Sequence, residues 1–170
     1  CTIMPSDGLY SSTTQRENPE LLLLIAESHF ALQHEEAAID AIDLFRELRP
    51  EATPDPRMTN LLERLAARLV SESGGAVLLM GRTQFWLAHL EQAAALYARY
   101  RQESPTPPTA YAERQVKYEA DLQATLDRQR HEAELRQAQE ASLRAAEAVR
   151  RTQQEADERR KLTEQRARVN

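Results

Sequence analysis

The stretch SHFALQHEEAAIDAIDLFRELRP, residues 28–50, decides how this chain is to be read. His34 stands beside Glu35 and Glu36 in an apolar run, so the stretch is either a chemical site or part of the frame. Set under it, TQFWLAHLEQAAALYARYRQESP, residues 83–105, matches at an offset of 55 with seven of 23 positions identical. The identities are Phe30/Phe85, Leu32/Leu87, His34/His89, Glu36/Glu91, Ala38/Ala93, Arg46/Arg101 and Pro50/Pro105. A match at fixed offset is the mark of an internal structural repeat. The second copy puts Leu90 where the first has Glu35. A carboxylate pair needed for chemistry would not degrade while its frame survives, so His34 and His89 read as turn residues. Each copy then reads as two short antiparallel helices with the turn near the histidine.

Composition agrees with an all-helical chain. Charged residues make up 29% and aromatics 5%, and only four of the 170 residues are Gly. Leu, Ala, Glu, Arg and Gln dominate, all strong helix formers, and no stretch shows the alternating β-branched pattern of a strand. The formal net charge of −5 argues against a general affinity for nucleic acid. The longest apolar run, LLLLIA at 21–26, is far too short to cross a bilayer.

Residues 1–18 are polar, with Pro5, Gly8 and a Ser/Thr cluster, and read as a flexible leader. Asn18 offers an N-cap with Pro19 at the first helical position. Helices are expected over 19–33 and 35–48. Pro54 and Pro56 keep the next connection non-helical. A third helix over 57–71 carries Leu61, Leu62, Leu65, Ala66, Leu69 and Val70 at helical spacing, and Gly74 with Gly75 ends it. Apolar helical signal resumes at 76 and lasts to 103, where ESPTPPT stops it. Residues 109–170 contain no Gly and no Pro and can form one helix about 90 Å long. They hold 13 basic and 12 acidic residues, whereas the first 109 hold 9 and 15, so the acidity belongs to the first part.

The paired segments resemble tetratricopeptide repeats. In that family a small residue in the first helix is followed by an aromatic four later, a small residue twelve later, and Pro at the end. Here the series are Ala26, Phe30, Ala38, Pro50 and Gly81, Phe85, Ala93, Pro105. Small residues at a crossing let two helices approach, and the aromatic fills the groove beside them. The chain departs from the family in two ways. Its turn Gly is replaced by Gln33 and Ala88, and the offset is 55 rather than about 34 (the family's usual period), which makes the 57–71 segment an extra helix. The resemblance implies a helical domain over 19–105 that binds another protein.

In the long segment Glu132/Arg136, Glu140/Arg144, Glu147/Arg151, Glu155/Arg159, Asp157/Lys161 and Glu164/Arg168 stand acid before base at four-residue spacing, which is the favourable order on a helix. A seam through Leu135, Ala138, Ser142, Ala145, Val149, Thr152 and Ala156 is mostly small, a poor one for a tight homodimer. Tyr118, Leu122 and Leu126 form a better stripe for packing on the helical domain or a partner. With Phe85, Trp86 and Tyr97 of the second copy they are the expected partner-binding residues.

No catalytic or metal-ligating set emerges. The four histidines stand in no HExxH pattern, no Cys accompanies them, and there is neither a Gly-rich phosphate loop nor a GxSxG elbow. No cofactor is expected. The single Cys is residue 1, and the start CTIMPSDG resembles that of a mature bacterial lipoprotein. That resemblance implies acylation of Cys1, with Thr2 after it implying the outer membrane and its periplasmic face. The layout is similar to QseG-type lipoproteins, which associate with sensor kinases. It implies an adaptor whose partner is another helical, envelope-located protein. A pilotin or assembly lipoprotein and a cytosolic repeat scaffold are the alternatives.

Overall fold

A computed structural model describes residues 18–50 and 55–170. The described residues form six α-helices and no strand. They are α1 (Glu20–Ala31), α2 (Glu35–Leu48), α3 (Pro56–Leu69), α4 (Gly75–Trp86), α5 (Leu90–Glu103) and α6 (Thr109–Val169). The chain divides into two units, residues 1–122 and 123–170. Cys1 and the rest of the leader up to residue 17 lie outside the described residues.

In the first unit α1 and α2 make one hairpin and α4 and α5 the other, with α3 inserted between the copies. The copies bury the same positions. Ala26, Phe30, Ala38, Ile42 and Phe45 are buried in the first, and Phe85, Ala93, Tyr97 and Tyr100 fill the matching places in the second. At the remaining position, Ala26 in the first copy, the second has Gly81. A Cβ there would come within 2.4 Å of the Tyr97 ring, so a Tyr at the crossing requires Gly opposite. The main core joins Leu22, Leu23, Ile39, Leu61, Leu62 and Leu65 from α1, α2 and α3.

Several boundaries differ from the sequence reading for local reasons. The N-cap of α1 is Pro19, and Asn18 contributes its main-chain carbonyl rather than its side chain, accepting from Leu21 N at 3.1 Å. Helix α3 starts at Pro56, capped by the Asp55 carboxylate on Arg57 N at 2.8 Å. It ends at Leu69 rather than 71. Gly75 opens α4 instead of closing α3, and a Cβ on it would meet the Tyr111 ring at 2.8 Å. The break in the apolar run over 76–103, between Trp86 and Leu90, falls at the turn near His89 that the repeat predicts.

Candidate functional site

The two hairpin turns come first, since the histidines drew attention there. Each is a Schellman turn, in which a left-handed residue reverses the chain and two main-chain N–H groups satisfy helix-end carbonyls. In the first copy Gln33 N bonds Phe30 O at 3.0 Å and His34 N bonds His29 O at 2.8 Å. In the second, Ala88 N bonds Phe85 O at 3.0 Å and His89 N bonds Gln84 O at 2.9 Å. The carbonyls of His34 and His89 then accept the first bonds of α2 and α5, from Ala38 N and Ala93 N at 3.0 Å each. The side chains also pair across the turn. His34 lies with its ring centroid 6.0 Å from that of His29, and His89 Nδ1 is 2.7 Å from Gln84 Oε1. Both histidines are thus occupied in holding the turn.

The expected partner-binding residues are placed mostly inside. Phe85, Tyr97, Tyr118 and Leu122 are buried, and Trp86 and Leu126 are half-buried. Tyr97 packs on Gly81 and sits with its ring centroid 6.0 Å from that of Tyr118. The Trp86 indole N–H donates to Asp43 Oδ1 at 2.6 Å. The four buried side chains belong to the chain's own interior and present no surface to a partner.

At their centre lies a group that the sequence reading missed. Arg82 is 1% exposed and donates through Nε to Asp43 Oδ1 at 2.8 Å, while its Nη2 meets Asp121 Oδ2 at 2.8 Å. Its guanidinium carbon stands 4.9, 4.6 and 4.5 Å from the ring centroids of Phe85, Trp86 and Tyr118, within cation–π range. Asp43 is 5% exposed. Burial pushes its carboxyl above the usual carboxylate range, and the Arg82 charge acts against that shift. Burial also pushes the Tyr97 hydroxyl up and takes Tyr118 to about 12. A guanidinium shared by carboxylates from α2 and α6 fixes α4 between them, because a buried charge is tolerated only when it is paired.

Asp43 is one of four acids along a single face of α2, namely Glu36, Asp40, Asp43 and Glu47, at helical spacing. The first three turns of α6 meet this face with bases. Arg114 Nη1 bonds Asp40 Oδ1 at 2.6 Å, and its Nη2 bonds Asp40 Oδ2 at 2.7 Å and Glu36 Oε1 at 2.8 Å. The hydrogen bond to Asp40 above all holds the Arg114 guanidinium in its charged form. Lys117 Nζ reaches Glu47 Oε1 at 2.9 Å, and Glu119 pairs with Arg101 of α5. The readable signal was present in the sequence as the acid spacing in HEEAAIDAIDLFREL, with Arg114 and Lys117 at i, i+3.

Beside the first turn a cleft of about 600 Å³ is lined by His34, Glu35, Asp40, Arg68, Leu79 and Tyr111, among others. Arg68 closes one wall, donating to Phe30 O at 2.8 Å and pairing with Glu35 at 3.3 Å. It also stacks 3.7 Å from the Phe30 ring centroid.

In the second unit every residue from 127 onward is exposed. Leu135, Leu143, Val149 and Leu162 are each more than half exposed. Of the six acid-before-base pairs, Glu140–Arg144 stands at 4.0 Å, and Asp157 pairs with Arg160 instead of Lys161. Fully solvated pairs gain little over the entropy of fixing two long side chains. Among the described residues no helix is long and apolar enough to cross a membrane. Comparison with family models, with curated proteins and with solved structures returned no match.

Proposed function

We propose that the chain is a protein–protein interaction adaptor. The observation that carries this reading is the second unit, residues 123–170. It is helical to Val169, and its apolar side chains from Leu135 onward are left in water. Leu135, Ala138, Ser142, Ala145 and Val149 fall along one side of that helix at a spacing of three and four. The small residues allow close approach of another helix, and Leu135 and Val149 supply its apolar contact. A helix of another protein is the occupant that suits such a face.

Attachment to the outer membrane through an acylated Cys1, and an envelope-located partner such as a sensor kinase or an assembly component, complete the proposal. Mass spectrometry of residue 1 in the chain isolated from its own membrane fraction tests the anchor, and an unmodified thiol counts against it. The arm is tested by capturing binding partners with the full chain and with a chain ending at Leu122, both checked for helicity by circular dichroism. Loss of the partner with the shorter chain is expected; equal recovery would contradict the adaptor reading.

A further inference from the structure

We propose that residues 109–122, the opening turns of α6, form an ion-pair clasp that opens as a unit while α1 to α5 stay folded. The clasp carries a dense set of ion pairs. Arg114 takes Asp40 and Glu36, Lys117 takes Glu47, Glu119 takes Arg101 and Asp121 takes Arg82, so four residues within eight positions of α6 pair with three other helices. Its buried hydrophobic residues on α6 are Tyr118 and Leu122 alone. By contrast α1, α2 and α3 share a contiguous core.

Each ion pair is open to water on at least one side, although Arg82 is buried and Arg114 mostly so. Lys117 and Glu47 are each about half exposed, Arg101 is more so, and Asp40, Glu36 and Asp121 are 49, 46 and 42% exposed at the side chain. Pairs of this kind are screened by salt, whose Debye length falls from ~10 Å at 0.1 M to ~3 Å at 1 M. Apolar burial is not weakened in that way, so salt separates the two kinds of contact. The connection into the clasp, SPTPP at 104–108, adds few main-chain bonds, Ala112 N to Pro108 O at 2.9 Å being one. Opening uncovers the Glu36, Asp40 and Glu47 carboxylates together and leaves Arg82 its Asp43 partner, so the cost of a stranded buried charge is avoided. The clasp is therefore a releasable contact between the acidic face of α2 and a base-bearing helix, a role that extends the adaptor reading without depending on the arm's partner.

The test places a single reporter thiol in the full chain, with Cys1→Ser as background. Leu122→Cys reports the clasp and Leu65→Cys reports the α1–α3 core. Alkylation by iodoacetamide is followed at 0.05 M and 1 M sodium chloride. The clasp thiol is expected to react at least tenfold faster at high salt, with the core thiol changing less than twofold. Adding Glu36→Gln and Asp40→Asn should give the fast clasp rate already at low salt. Gln115→Cys, also on the buried side of α6, replaces Leu122→Cys if that variant folds poorly. Equal changes at the clasp and core thiols, or a clasp rate indifferent to salt and to the double substitution, would overturn the proposal.

Discussion

Gln33 and Ala88 adopt φ values of 62° and 64°, the left-handed region that favours Gly. They stand at matching positions of the two copies, Gln33 in the first and Ala88 in the second. At both turns a side chain is therefore tolerated where none is preferred. A left-handed conformation costs a residue with a Cβ about 1–2 kcal/mol, partly offset by the greater unfolded-state freedom that Gly would bring. Ala88→Gly is expected to raise stability by about 0.5–1 kcal/mol, read as a higher urea midpoint with an unchanged slope. A midpoint that falls would mean that the Schellman geometry is not what holds this turn. The position of both turns was legible from His34 and His89. Their handedness was not, because neither Gln nor Ala announces a positive φ.

At the scale of elements, the repeat fixed the two hairpins, and Pro56, Pro105 and the Gly-free run fixed α3 and α6 to within one or two residues. What the sequence hid was the burial of charge. Arg82 occupies in the second copy the place of Glu27, which in the first is partly exposed and pairs with Arg57 at 3.0 Å. Nothing local distinguishes the two positions, since the partners of Arg82 lie 39 residues before it and 39 after. The same holds for the expected partner-binding residues: Tyr118, Leu122 and Leu126 read as a stripe for the helical domain or a partner, and only the tertiary fold shows that Tyr118 lies over Arg82. Removing one member of a buried pair strands the other, at about 3–5 kcal/mol, whereas replacing both by apolar residues is often neutral. Arg82→Met should therefore destabilise by about that amount, and Arg82→Met with Asp43→Leu should recover most of it, as measured by denaturant unfolding. A double variant as unstable as the single one would show that the ions contribute more than they cost.

At the scale of the whole molecule, an acidic helical array precedes a charge-balanced helix, and the two parts use charge differently. In the first unit carboxylates and guanidiniums are spent on internal fixing, through Arg82, Arg114 and Arg68. From 127 onward the charges are in water and so are Leu135, Leu143, Val149 and Leu162. The central claim is that one side of this second unit receives a partner helix. Photo-crosslinking residues placed singly from 134 to 152 in the full chain, irradiated in whole source cells, test it most directly. Adducts to one protein are expected at 135, 138, 142, 145 and 149, falling away at 140, 144, 147 and 151 on the opposite side. Adducts of equal yield all round the helix, or none at any position, would contradict the account.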